Sequence, residues 1–193
     1  MKVTLLDHTQ DPEVRIGQMA AICYDSKTDR ESCIKRTAHC RDSGHLATLR
    51  FAYATFNISG ISRVCSHQLV RVAHAGILQR SQRYVKESNV EFVVPESVRT
   101  LPPELYDKWA GTLARSQQLY LDCIDAGMKK EDARYILPQS CTTDLHISMN
   151  FQGWKDIISN RTAKHAQWEI REVFIEIDRQ LGQVAPSLFG RTE

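Results

Sequence analysis

The residues with most chemical potential in this chain are arginines that stand beside hydroxyl and amide side chains. Ser66-His67-Gln68-Leu69-Val70-Arg71 runs into Gln79-Arg80-Ser81-Gln82-Arg83-Tyr84. A phosphate monoester needs such donors: guanidinium forks for charge, a hydroxyl and backbone N–H groups for geometry. A solvated basic loop would use the same residues. Ala133-Arg134-Tyr135 places an arginine at the end of a short helix, where it could reach a ligand or cap helix carbonyls. Asn160-Arg161-Thr162 is followed by His165-Ala166-Gln167-Trp168-Glu169-Ile170-Arg171. The planar donors of Arg161 could recognise the oxygen and N3 edge of a uracil ring, and their charge would favour its N3-ionised form. Arg161 could equally pair with Asp156. His165 and Trp168 read as packing groups.

Other chemistries have less support. His39, Cys40 and His45 cluster, but no second pair has zinc-ligand spacing, so no metal site is expected. The six cysteines form no C-x-x-C pair and are expected as reduced, mostly buried thiols of a cytoplasmic protein. A formal net charge of +2, spread over separated segments, gives no nucleic-acid footprint. No apolar run is long enough to span a membrane, and Met1 to Asp11 has no signal-peptide core.

The elements that must position these groups follow from periodicity. Lys2 to Leu6 reads as a short strand, and Asp11-Pro12 opens a helix with Asp11 as N-cap and Pro at the first helical position. Arg30 to Arg41 is polar, helical or irregular, and Asp42-Ser43-Gly44 is a turn. Leu49 to Ile58 is a strand, broken by Ser59-Gly60, and Ile61 to Val72 has one apolar helical face. Gly76 to Arg83 is extended or looped, and Val90 to Val94 is a strand ended by Pro95. Pro102-Pro103 precedes an amphipathic helix with Leu105, Trp109, Leu113, Tyr120 and Ile124 inward, ended by Gly127. A short helix covers Lys130 to Tyr135. Thr143, Leu145, Ile147 and Met149 alternate as a half-buried strand. The last element is a helix from Thr162 to about Gln183, with Ile170, Val173, Phe174, Ile177, Leu181 and Val184 as its apolar stripe. Without a Gly-rich phosphate turn between alternating strands and helices, the reading is a single α+β domain over 1–193, not a doubly wound fold.

Over nearly its whole length the chain resembles the flavin-dependent thymidylate synthases. The likeness rests on Ser66-His67-Gln68-Leu69-Val70-Arg71, Ser81-Gln82-Arg83-Tyr84 and His165-Ala166-Gln167-Trp168-Glu169-Ile170-Arg171, with flanking stretches at Lys2 to Thr9 and Ala185 to Phe189. It implies a homotetramer of α+β subunits, each a mixed or antiparallel sheet with flanking helices, with active sites at subunit interfaces. It implies C5 methylation of dUMP to dTMP, with methylenetetrahydrofolate as carbon donor, FAD as cofactor, NADPH as reductant and no cysteine nucleophile. By position, Gln68, Arg71, Ser81 and Arg83 would hold the phosphate and sugar of dUMP, helped by the backbone of Gln79 and Arg80. Arg134 would reach the nucleotide. Arg161 would contact the uracil and is the residue implied in catalysis. Arg71, Gln79, Asn150, Gln152 and Asp156 occupy the FAD positions.

The chain departs from that family in its flavin half. The Arg-His-Arg signature reads Arg71-Val72-Ala73, the usual Glu-His of the strand reads Arg50-Phe51, and Phe151-Gln152 and Asp156 replace Ala-Arg and Asn. His74 and Phe51 could stand in for the missing groups. The alternatives are altered one-carbon chemistry on the same nucleotide site, such as hydroxymethylation, or a non-catalytic nucleotide-binding paralogue.

Overall fold

The computed structural model describes residues 1–190. It is α+β: four strands form one antiparallel sheet in the order β1-β2-β4-β3, with helices flanking it. The elements in chain order are β1 (Lys2–His8), α1 (Pro12–Ala21), α2 (Arg30–Asp42), a 3-10 helix (Leu46–Phe51), β2 (Tyr53–Ser62), α3 (Arg63–Leu69) and β3 (Gly76–Gln79). Then follow α4 (Glu96–Arg99), α5 (Pro103–Asp125), α6 (Lys130–Ala133), a second 3-10 turn (Arg134–Ile136), β4 (Thr142–Asn150), α7 (Phe151–Arg161) and α8 (Trp168–Val184). The chain divides into two compact units. The first comprises residues 1–2, 59–68 and 79–145; the second comprises 3–58, 69–78 and the chain from 146 onward.

In the second unit, α1 and α2 pack closely because Gly17 has no side chain. A Cβ there would lie 2.2 Å from the Cys33 carbonyl oxygen. The polar α2 is a true helix. Its Asp29 N-cap accepts from the Ser32 amide at 2.9 Å, and Cys33, Thr37 and Cys40 are its buried face. Asp11 precedes α1 as expected but makes no side-chain cap; its carboxylate pairs with Arg30 at 2.9 Å instead. The core is aromatic. Trp154 stands edge-on to Phe56 at 5.1 Å, and its indole N–H donates to the Ala54 carbonyl at 3.1 Å. The α8 stripe is fully buried from Ile170 to Leu181, while Val184 is half-buried.

The end of the chain differs from the periodicity reading. A separate helix, α7, occupies Phe151–Arg161, and α8 begins only at Trp168. Both starts carry side-chain caps. Asn150 accepts from the Gly153 amide at 2.9 Å, and Gln167 accepts from the Ile170 amide at 3.1 Å. Arg161 therefore ends α7 and does not start the long helix. At a C-terminus the exposed carbonyls favour a cation.

In the first unit, β2 does not break at Ser59-Gly60 but continues to Ser62. Gly60 sits in the strand at φ +69°, a conformation that suits glycine, and its N–H donates to the Asp144 carboxylate at 3.0 Å. β4 alternates as read, with Thr143, Leu145, Ile147 and Met149 buried along its length through both units. Val90 to Val94 forms only one bridge, Phe92 to Cys141. It is held by the Val93 amide on Ser140 and the Thr142 amide on Glu91, and Pro95 removes the donor that would extend it. Along α5 only Tyr120 is fully buried, accepting from the Glu87 amide at 3.1 Å. Leu105 is 49% exposed, and Trp109, Leu113 and Ile124 are half-buried, so the expected inward stripe is only partly covered in one chain.

Candidate functional site

Each unit contains a cleft lined by arginines. In the second unit a cleft of about 790 Å³ is walled by the loop Arg71, Val72, Ala73 and His74, and by α7. The α7 residues Gly153, Asp156, Ile157, Asn160 and Arg161 recur every three or four positions, so they share one helix face. Asn150 and Gln152 line its start, and Arg50 enters from the 3-10 helix. Arg50 Nε donates to Gln152 Oε1 at 2.7 Å. His74 holds φ +62°, an uncommon backbone for a residue with a side chain. Among the described residues the lining carries three guanidinium groups, from Arg50, Arg71 and Arg161, against one carboxylate, Asp156. Among the described residues Arg71 and Arg161 form no ion pair, so Arg161 does not pair with Asp156. The cleft suits an anionic ligand that also has an apolar ring face, given Val72, Ala73, Met149 and Ile157.

In the first unit a cleft of about 400 Å³ is lined by Arg63, His67, Gln82, Arg134, Tyr135 and Gln139, with Leu137 and Pro138 behind. Among the described residues no carboxylate lines it. Arg134 stands at the junction of α6 and the 3-10 turn, and its Nε donates to the Glu131 carbonyl at 3.1 Å. Arg63 opens α3, and its Nη1 is buried without a hydrogen-bond partner among the described residues. Burial, then the positive charge of Arg134, pushes the Arg63 pKa down; Glu87 and Cys141 oppose this. Burial raises the Glu87 carboxyl, and Arg80 and Arg63 pull it back. The neighbouring Cys141 thiol is pushed up to about 12, mostly by burial and then by Glu87. That shift favours the neutral thiol over the thiolate.

The site residues named from sequence are distributed as follows. Arg71, Asn150, Gln152, Asp156 and Arg161 converge on the cleft of the second unit, and Arg134 lines that of the first. Gln68, Gln79, Arg80, Ser81 and Arg83 line neither. Gln79 Nε2 donates to Ser66 Oγ at 2.9 Å and to Thr143 Oγ1 at 3.2 Å. Arg80 pairs with Glu87 at 3.1 Å. Ser81 Oγ accepts from the Arg83 amide at 3.2 Å, while Arg83 pairs with Glu131 at 3.2 Å and lies 5.5 Å from the Tyr84 ring centre. The Arg83–Glu131 pair is half-exposed, so exchanging that partner for a phosphate costs little. Arg63 was not singled out from sequence. Its only signal is a charge within the apolar helical pattern of Ile61, Cys65 and Leu69.

Comparison with known proteins agrees with this architecture. The family described as thymidylate synthase complementing protein matches residues 4–187. A flavin-dependent thymidylate synthase of Pyrococcus furiosus is 40% identical over 185 residues, covering 90% of this chain and 75% of that protein. One from Thermococcus onnurineus is 38% identical over 197 residues, covering 96% and 79%. One from Geobacter sulfurreducens is 36% identical over 199 residues, covering 98% and 85%. With a match across nearly all its length and relatives at this level of identity, the chain belongs to the thymidylate synthase complementing protein family, a family of enzymes.

Proposed function

We propose that this protein methylates dUMP at C5 to give dTMP, with methylenetetrahydrofolate as carbon donor and NADPH as reductant. The observation that carries this reading is the cleft in which Arg71, Arg161, Asn150 and Gln152 meet, in a chain whose relatives are flavin-dependent thymidylate synthases. Arg161 contacts the uracil edge and stabilises negative charge on the ring, so that C5 becomes the nucleophile. Gln68, Arg71, Ser81 and Arg83 hold the phosphate and sugar, with the Gln79 and Arg80 backbone and Arg134.

The donor set fits FAD. Cationic Arg71, with Arg50 added, suits its diphosphate; Asn150 and Gln152 suit its amide-bearing ring; Val72 and Ala73 offer that ring an apolar wall. Gln79 and Asp156 complete the positions that would hold it. When bound, reduced FAD supplies the hydride for the transferred carbon. The chain's own groups bind, orient and exclude water.

The reading extends to one domain that assembles as a homotetramer with active sites at subunit interfaces, in the cytoplasm. The partly covered apolar row of α5 supports assembly. No described helix is long and apolar enough to cross a membrane. The test is the visible spectrum of freshly purified protein with and without added FAD, followed by dTMP formation from dUMP, methylenetetrahydrofolate and NADPH. A protein that refuses FAD and makes no dTMP refutes the proposal.

A further inference from the structure

The segment 185–190 follows α8 and is held by charged side chains from α1, α2, α7 and α8. Glu13 accepts from the Ser187 amide at 2.7 Å, and Arg41 donates to the Ser187 carbonyl. Lys155 donates to the Leu188 carbonyl at 3.5 Å, and Asp178 accepts from the Gly190 amide at 3.0 Å. Irregular backbone must find partners outside a helix or sheet ladder, and charged partners make the stronger bonds. Gly182 lets the segment lie against α8, since a Cβ there would sit 2.7 Å from the Gly190 Cα. Ala185, Leu188 and Phe189 are buried. The segment is thus a strap with a fixed path, and it meets the cleft of the second unit through α7. The Phe189 ring stands edge-on to the Phe151 ring at 5.2 Å. Phe151 is the first residue of α7, and its amide donates to the Ala52 carbonyl at 2.8 Å. Its neighbours Asn150 and Gln152 line the cleft, and Gln152 accepts from Arg50. Lys155 adds a second grip one turn further on.

The strap therefore grips α7 by residues that do not line the cleft, while Asp156, Asn160 and Arg161 of the same helix do. A helix moves nearly as a rigid rod. From Phe151 to Arg161 is roughly 15 Å, so a tilt of about 5° at the start shifts the Arg161 end by about 1 Å. A displacement of that size is enough to break a donor's aim at a bound group. We propose that Phe189 is a positioning residue for this cleft: through Phe151 it fixes the tilt of α7, and with it Gln152, Asp156 and Arg161. The coupling is reciprocal, so a ligand in the cleft also secures the strap. The positioning rests on these contacts, and FAD as the ligand rests on the function proposed above.

The test uses the full-length protein with FAD as probe. Affinity is read by quenching of flavin fluorescence, and amide deuterium exchange by mass spectrometry. The variants are Phe189→Ala, Phe189→Leu, Phe151→Ala and the double variant Phe151→Ala with Phe189→Ala. Ile58→Ala, at a fully buried site in β2, is the control for lost stability. All are compared at a temperature at which each is folded. Phe189→Ala weakens FAD about ten- to a hundredfold, and Phe189→Leu, which keeps more of the volume, weakens it less. Ile58→Ala lowers the melting temperature and leaves FAD affinity unchanged. The double variant binds FAD as Phe189→Ala does, because both changes break one contact. Without FAD, Phe189→Ala speeds exchange across 150–161; in the wild type, added FAD slows exchange across 185–190. Wild-type affinity in Phe189→Ala, equal weakening in Ile58→Ala, or losses that multiply in the double variant overturn the positioning and leave the proposed function standing. If the wild type refuses FAD, the proposed function falls and exchange decides the positioning: faster exchange across 150–161 in Phe189→Ala but not in Ile58→Ala keeps it, and no difference removes it. If Phe189→Ala does not fold, unchanged FAD affinity in both Phe189→Leu and Lys155→Met overturns the proposal, and weakening in both supports it.

Discussion

Arg50 Nε donates to Gln152 Oε1 at 2.7 Å, and both side chains line the arginine-rich cleft of the second unit. The bond holds one edge of the guanidinium and leaves the terminal nitrogens for a ligand. Arg50 thereby adds positive charge to a loop lining that reads Arg71-Val72-Ala73, in which only the first residue is charged. Replacing Arg50 by Glu is expected to weaken FAD about ten- to a hundredfold, measured by quenching of flavin fluorescence at two salt concentrations. Because Arg50 is exposed, the melting temperature should barely move. Unchanged flavin affinity would place the cofactor away from this residue.

Trp154 is the keystone of the second unit. It is fully buried, contacts Phe56 and Phe174, and satisfies the Ala54 carbonyl. Trp154→Ala opens a cavity and orphans that carbonyl, so a loss of about 3–5 kcal/mol is expected in urea denaturation. Trp154→Phe fills most of the space and should cost less. The same loss from both would show that the hydrogen bond, not the volume, matters.

Glu87 gives the first unit a pH dependence. Burial raises its carboxyl above the ordinary value, more than Arg80 and Arg63 lower it. Across the interval between the ordinary and the raised value, the folded chain retains a proton that the unfolded chain has released. The stabilisation from that proton is complete below the ordinary value and is lost as pH rises through the raised one. Glu87→Gln should remove this component, so that the wild type, measured by denaturant at stepped pH, loses stability relative to the variant as pH rises through that interval and not outside it. Parallel curves across it would contradict the raised value.

The thiols should separate by environment. Cys23 is exposed, Cys123 is half-buried, and Cys33, Cys40, Cys65 and Cys141 are buried. With an alkylating reagent at neutral pH, mass spectrometry should find Cys23 modified first and Cys123 slowly. Cys141, whose thiol is pushed up to about 12, should stay unmodified until the chain unfolds. Early loss of Cys141 thiol in the native protein would show that the first unit opens readily.

Much of the fold was legible from spacing. The alternation of β4 and the apolar stripe of α8 are short-range repeats of 2 and 3.6 residues, and Gly127 ends α5 at φ +88° as a helix stop should. The α7 helix was not legible. Its cap, Asn150, carries a side chain equally suited to a ligand, and polar residues separate the buried Phe151, Trp154 and Ile158. Ser59-Gly60 predicts a break in β2, yet the Asp144 carboxylate accepts from the Gly60 N–H and the strand runs on to Ser62.

The amino-acid order by itself determined which donors the chain owns and which segments are helix or strand, because propensity, capping and periodicity act over a few residues. Only the tertiary structure decided which of those donors are free. It tied Arg80 to Glu87 and Arg83 to Glu131, gathered Arg50, Arg71 and Arg161 around one cleft, and buried the unmatched nitrogen of Arg63 beside Arg134. Ion pairing and desolvation depend on distances between residues far apart in the chain, and no local pattern encodes those distances.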